Sequence, residues 1–453
     1  MTPCLLLLLA LAATPHASVL NAPDNVWDAA VEDMNGDAFR EVFVLTCDEK
    51  SRPLRKAVCA YVADASGAYP SSPTFTLLLP ASIGSLFFAE VDGVAPRELI
   101  ALDGGGAAIF RFTGTALEPA GNSAFPSLLP TGSKEPLFLK DGALDLDGDK
   151  IDEWLIPVPT GFELRHAGGA VAPIPGDVIS EVRRANDLFI IHHLPAYYAF
   201  TLDGQTTKSL ACCSDEYADF SHGPGWKEHS RFKIPLNVEE KWDASSKMAD
   251  INNDGFPDLA VTQTRGTIHL EAVSHLYIAS APFIYPEKPT ATFATKGGIS
   301  TPELVDIDGD KRLDVLLISV PLGLKNFINF FLRGKLSVDA QVYLFNGAGF
   351  GEAPAFETTL TMDAPEGREQ VAYAMGDFNG DGRQDIAFGQ SADQIGVFVG
   401  EPGRFISSKP WASLNLPAFG LARTVVLNEK PAKDLLVLHP SGKNAKRVDV
   451  IVF

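Results

Sequence analysis

The sequence has no GxSxG elbow, no HExxH pair, no phosphate-binding loop and no dinucleotide fingerprint, which removes the chemistries those motifs carry. Positive charge is scarce. Against 57 Asp and Glu stand 37 Lys and Arg, so the net charge is −20 and the pI about 4.8, which argues against nucleic acid or an anionic membrane as partner. Beyond the first residues no apolar run reaches membrane-spanning length. Cysteine is rare, five in 453 residues. Cys4 precedes the apolar N-terminal run and so is not placed as a lipid-attachment cysteine, and the remaining four, Cys47, Cys59, Cys212 and Cys213, fit an oxidising compartment by their even number. A hairpin turning near Pro53 sets Cys47 opposite Cys59 as a disulfide, the alternative being two buried thiols. Adjacent Cys212 and Cys213 leave a vicinal disulfide, other partners or reduced thiols open. Histidines are few; His192 and His193 are adjacent, and His222 and His229 lack zinc-ligand spacing.

What the chain does have is a repeat. Five times an acidic, glycine-containing loop runs into an apolar strand: DMNGDAFRE, DLDGDKIDE, DINNDGFPD, DIDGDKRLD and DFNGDGRQD. Oxygen-bearing side chains fill positions one, three, five and nine: Asp33, Asn35, Asp37 and Glu41; Asp145, Asp147, Asp149 and Glu153; Asp250, Asn252, Asp254 and Asp258; Asp306, Asp308, Asp310 and Asp314; Asp377, Asn379, Asp381 and Asp385. Alternate side chains of a tightly curved loop can converge on one centre, and six to eight oxygens in flexible geometry is what calcium takes. The start resembles an EF-hand, but position twelve is Val44, Ile156, Val261, Leu317 or Phe388 rather than glutamate, and a β-type run follows in place of a helix. The competing reading is a set of metal-free acidic turns, since Asp, Asn and Gly dominate turns. Position six favours glycine for its positive φ; Gly255 and Gly382 comply, whereas Ala38, Lys150 and Lys311 predict strain or weaker binding.

Three weaker echoes extend the series: EVDGVAPREL keeps Glu90, Asp92 and Glu98 with Val94 at position five, VLNEKPAKDLLVL keeps Asn428 and Asp434, and VISEVRRANDLFII keeps Asp187. The last two are expected to retain the hairpin without an ion. Units spaced by roughly 35 to 70 residues, each with several short strands, predict an all-β chain. The expected architecture is a β-propeller of four-stranded blades, eight or seven in number, with the calcium-type loops between first and second strands. The last unit is one strand short, and the segment around Val19 to Val26 is expected to complete it and close the ring. With 46% hydrophobic residues, 32 prolines and 39 glycines, the chain can bury a sizeable core among many turns.

These motifs resemble the FG-GAP and VCBS repeat families, and the chain is similar over nearly its whole mature length to bacterial VCBS-type proteins with the propeller of integrin α-subunit heads. The resemblance implies calcium at positions one, three, five and nine. The Asp250, Asp306 and Asp377 copies match those positions fully, while Glu41 and Glu153 lengthen the closing arm.

Residues 1–17 read as a signal peptide and 18–453 as one propeller, with an inserted loop at 211–240 and an inserted helix at 321–336. The loop is a candidate binding surface or a cover for a blade edge. Leu324, Phe327, Ile328, Phe331 and Leu332 share a helical face for packing or docking. The expected product is an exported, monomeric protein, periplasmic or extracellular, with structural calcium and a protein or glycan partner. Three functions compete: an interaction or adhesion scaffold; a lectin-like propeller with Tyr217, Trp226 or Trp242 exposed; and a lyase or hydrolase, a glycosidase-like acid pair across blades being compatible with the sequence. The missing motifs favour a protein without enzymatic activity.

Overall fold

The computed structural model describes residues 15–453 apart from short stretches, the longest being 235–242 and 321–332. Its strands form eight blades of four antiparallel strands, spanning 25–79, 85–124, 143–174, 197–233, 243–296, 303–363 and 373–414, with the eighth made of 421–452 and 16–21, and the short strand Leu137–Phe138 adds a fifth, parallel member to the second sheet. We number these blades 1 to 8.

Second strands are continuously apolar because a neighbouring blade covers each face. Glu41–Asp48, Glu98–Asp103 and Asp434–Leu438 are buried almost throughout. Outer strands such as Phe75–Leu79 and Phe356–Asp363 alternate exposed and buried residues, as one covered face requires. First strands of neighbouring blades lie side by side, Ser85–Ala89 against Ala143–Leu144 and Tyr373–Gly376 against Leu421–Val425, which places them at the axis. The core is a ring of blade-to-blade layers. Phe43 meets Phe88 between blades 1 and 2, Phe87 meets Trp154 between blades 2 and 3, and Phe378 meets Phe453 between blades 7 and 8.

The ring closes with the N-terminal segment. His16–Asn21 pairs antiparallel with Arg447–Val452 as the outer strand of blade 8, while Val26 already belongs to the first strand of blade 1. Deleting residues 15–21 removes six ladder pairs and the burial of Leu20, and leaves Arg447–Val452 as an open edge. The truncated chain is expected to aggregate on size-exclusion chromatography and to lose cooperative unfolding; an unchanged monomer with an unchanged melt would show that closure does not depend on this strand.

Three expectations need correcting. Blade 4 comes from Tyr197–Phe200, Ser209–Cys213, Tyr217–His222 and Glu228–Lys233, so 211–233 is largely sheet rather than inserted loop, and 235–240 lies outside the described residues. The VISEVRRAND echo keeps its hairpin as expected, Glu181–Ala185 with Phe189–His193, but as a separate two-stranded sheet ahead of that blade rather than as a blade unit, and its Asp187 lies outside the described residues. The third concerns Cys47 and Cys59. Cys47 pairs with Lys56 and Val44 with Cys59, so the two cysteines differ by three register steps and point to opposite faces. All four cysteines are free thiols. Cys212 and Cys213 likewise face opposite layers of blade 4, where burial pushes the Cys213 thiol up to about 12. Of the inserted helix, 321–332 lies outside the described residues, and Lys335 and Leu336 belong to the strand Lys335–Tyr343.

Candidate metal centres

All five acidic loops join the first and second strands of a blade, in blades 1, 3, 5, 6 and 7, so they share one face of the ring. Each is shaped by its own side chains. The position-one carboxylate accepts from the backbone N–H at position four or five, as in Gly148 to Asp145 (2.7 Å), Gly309 to Asp306 (2.8 Å) and Asp381 to Asp377 (3.0 Å). The position-three oxygen accepts from position five, and the position-five carboxylate from position seven, as in Asp149 to Asp147 and Ile151 to Asp149. The backbone is thereby wound so that successive carboxylates face inward.

Position six takes the left-handed conformation in most copies: Gly255 (φ 88°), Gly382 (86°), Lys150 (73°) and Lys311 (71°). The strain expected at the two lysines is therefore present. Ala38 does not adopt it, and in that loop Phe39 instead forms a bridge with Asn428 of blade 8. Lys311→Gly is expected to stabilise the protein by roughly 0.5–1 kcal/mol in denaturant titration, the relief of left-handed strain outweighing the extra chain entropy. A loss of stability would place the value of Lys311 in its side chain.

Carboxylate oxygens converge to within 4.8 Å in Asp145, Asp147 and Glu153, in Asp306, Asp308 and Asp314, and in Glu90, Asp92 and Glu98. The first two sets present three hard oxygen donors around one point, with a fourth carboxylate at position five, and fit a calcium-sized cation. In the loops starting at Asp33, Asp250 and Asp377, position three is asparagine. There the amides of Asn35, Asn252 and Asn379 bond Asp37, Asp254 and Asp381 at 2.9, 2.8 and 3.0 Å, so their carbonyl oxygens remain the donors available to an ion. Desolvation pushes the Asp310 carboxyl up, but the Arg312 side chain (Nε to Oδ2, 2.9 Å), backbone N–H and charge together outweigh it and hold that carboxyl below its ordinary range.

Position nine has a second role that alternation alone does not reveal. In seven blades its carboxylate accepts the position-two N–H of its own loop: Glu41 from Met34, Glu98 from Val91, Glu153 from Leu146, Asp258 from Ile251, Asp314 from Ile307, Asp385 from Phe378 and Asp434 from Leu427, at 2.7–3.3 Å. The aspartates turn their other oxygen to the end of the third strand, accepting from Ala279, Phe345, Gly400 and Phe453 at 2.8–3.0 Å. One buried carboxylate thus ties loop start, second strand and third strand together. The sequence did carry a signal for this: the Asn428 copy kept Asp434 after losing the acids at positions one and five.

The loops also knit the ring. The N–H at position eight donates to the carbonyl at position one or two of the preceding blade's loop, in Arg40 to Leu427, Asp152 to Glu90, Leu313 to Ile251 and Lys433 to Asp377, at 2.7–2.8 Å. Lys208 of blade 4 makes the same bond to Leu146 although that blade has no acidic repeat, and buried Ser209 follows it where position nine stands elsewhere.

Burial raises the position-nine carboxyls, outweighing the backbone N–H bonds that oppose it: Glu41, Glu153, Asp258 and Asp385 to about 7 and Asp314 to about 6. Between an ordinary value near 4 and these values the folded chain binds more protons than the unfolded one, so their contribution to stability falls as pH rises through that window. The chelated protein is expected to melt higher near pH 5 than near pH 8. Calcium, which competes with protons, should raise the melting temperature more at the higher pH. A chelated protein that gains stability between the two would overturn this.

The remaining candidates are committed to packing. Trp226 is buried, Tyr217 lies under the Arg231 guanidinium at 4.5 Å, and Trp242 lies outside the described residues. His222 faces the Ser209 hydroxyl at 3.3 Å and His229 faces Asp219 at 3.0 Å. Near the axis, Lys247 donates to the Pro302 carbonyl and Tyr373 to Glu303, each bond joining neighbouring blades. A cleft of about 260 Å³ opens beside the Asp306 and Asp377 loops, with Asp308, Arg383, Glu401 and Arg404 in its walls.

The FG-GAP-like repeat family matches residues 250–317, the stretch from the Asp250 loop through the second strand of blade 6. No curated protein matches the chain. Among solved structures, BBS1N in complex with ARL6DN (mercury-soaked crystal) is 9% identical with a TM-score of 0.39, covering 83% of this chain and 93% of that one. An Agrocybe aegerita lectin described as recognising non-reducing terminal N-acetylglucosamine is 10% identical with a TM-score of 0.44, covering 98% and 96%. Neither a shared ligand nor a shared site follows at such levels. The chain is an eight-bladed β-propeller that matches an FG-GAP-like repeat over residues 250–317.

Proposed function

We propose that the chain is an exported, calcium-braced interaction scaffold, related to the bacterial VCBS-type and integrin-head propellers, that presents its loops to a protein partner. The observation that carries this is the convergence of three carboxylates to within 4.8 Å in the same register of blades 3 and 6, on a face where several adjoining loops are hydrogen-bonded to one another. Acids so placed repel one another unless a cation is bound, and the ion would be held by positions one, three, five and nine. It supplies charge neutralisation and rigidity, and the loops so fixed become a preorganised surface.

The reading includes no catalysis: near the axis Lys247, Tyr373 and Glu303 serve blade-to-blade bonds. A glycan ligand is less well supported, because two of the aromatic residues expected to form a sugar platform are committed elsewhere, Trp226 to the interior and Tyr217 to the Arg231 guanidinium. Among the described residues no helix is long and apolar enough to cross a membrane. A leader ending at residue 17 would take His16 and Ala17 from the closing strand and leave Ser18–Asn21 paired with Arg447–Val450, and the mature protein acts as a monomer in the periplasm or outside the cell.

The test is a metal count by mass spectrometry on the purified chain, with binding of a purified partner measured in calcium and in chelator. Three to five calcium ions and saturable protein binding that weakens on chelation are expected. No bound metal would remove the calcium role, and a glycan that binds where proteins do not would replace the scaffold by a lectin.

A further inference from the structure

Of the three carboxylate clusters, the one in blade 2 does not fit a metal. Its loop lacks an acid at position five, where Val94 stands exposed, and two of its three carboxylates already share a guanidinium. Arg111, on the third strand, donates from Nε to Glu98 (2.8 Å), and its Nη2 reaches both Glu98 and Asp92. Glu98 is fully buried, and its other oxygen accepts from Val91. Glu90 at position one accepts from Asp92, Gly93 and Val94 at 3.2, 2.9 and 3.1 Å. The loop is complete without an ion.

The register shows why this blade alone is so built. Leu99 pairs with Phe110, so Arg111 stands one step on, opposite Glu98 at position nine. The same step places Val62 opposite Glu41, His166 opposite Glu153, Ile278 opposite Asp258, Leu344 opposite Asp314, Val399 opposite Asp385 and Val452 opposite Asp434. None of those carries a permanent positive charge. Arginine appears there only in the blade whose acidic loop has exchanged its position-five acid for valine.

We infer that Arg111 is a tethered counter-ion: blade 2 holds its loop closed with a guanidinium where its neighbours use a metal, and it binds no calcium. A guanidinium suits the place because its planar fork meets two carboxylates at once and keeps its charge at any physiological pH. The consequence is a blade whose geometry is independent of calcium, set between blades 1 and 3, whose acidic loops are open to it.

Two measurements test this. In chelator, Arg111→Gln is expected to melt roughly 3–5 °C below the unsubstituted chain, because Glu98 is left buried without its partner; an unchanged melt would overturn the inference. In calcium, Asp92→Asn and Glu98→Gln are expected to bind as many ions per chain as the unsubstituted protein, and the loss of one ion in either would overturn it. Asp92 is partly exposed, so at least that variant folds for counting. Were the unsubstituted chain to carry no metal, the scaffold reading would lose its calcium while the chelator melt still decided the role of Arg111.

Discussion

Transferred from millimolar calcium to excess chelator, the protein is expected to melt about 10–15 °C lower. Five loops carry the full oxygen pattern, and a site that binds only the folded state contributes about 2.7 kcal/mol when the ion stands at a hundred times its dissociation constant. That is about 13 kcal/mol in all. An unfolding entropy of about 2.1 cal/mol/K per residue converts this to roughly 1 °C per kcal/mol for a chain of this length. The loops lie on the seams that hold the ring together, at Asp152 to Glu90, Leu313 to Ile251 and Lys433 to Asp377, so losing an ion loosens a blade and its neighbour at once. Differential scanning calorimetry in the two buffers reads the shift directly. A difference under about 2 °C would mean that the acids are turn formers alone, and the fold would stand without metal.

Much of this fold was legible because its repeat joins a local signal to a global one. The acidic loop marks the turn between first and second strands, and the apolar run after it marks a strand covered on both faces; together they fix blade after blade. Blade 4 was missed for the same reason. Its first-to-second turn has no acidic repeat, and Ser209 occupies the place of position nine, so only the Lys208 to Leu146 bond, invisible in sequence, reveals its membership. The cysteine pairing failed on parity. A hairpin places two residues opposite one another only in one register, and Cys47 and Cys59 fall three steps out. The site was legible as a set of oxygens but not as a division of labour. That Arg111 would meet Glu98 depends on pairing between second and third strands, and that position nine caps two strands depends on the blade's closed geometry.

This division of labour predicts different fates for two aspartates of one loop. Asp385 accepts the N–H groups of Phe378 (2.8 Å), Asn379 (3.2 Å) and Gly400 (2.9 Å) and is fully buried, whereas Asp381 accepts from Arg383 and Asn379 at the exposed tip. Asp385→Ala strands up to three backbone donors, and at about 1–3 kcal/mol for each buried group left unpaired the loss is expected to reach about 3–6 kcal/mol. Most of it should persist in chelator, because those bonds exist without the ion, with a further loss in calcium from the missing ligand oxygen. Asp381→Ala removes one oxygen from the metal set and a solvent-exposed cap, so it should lower the melting temperature by about 2–3 °C in calcium and by less than about 1 °C in chelator. Paired melts of the two variants separate ligand from staple. If Asp385→Ala were rescued by chelation, so that both variants then matched the unsubstituted chain, the buried carboxylate would be a ligand alone, and the seven-blade pattern of position-two bonds would have to follow from the metal rather than support it.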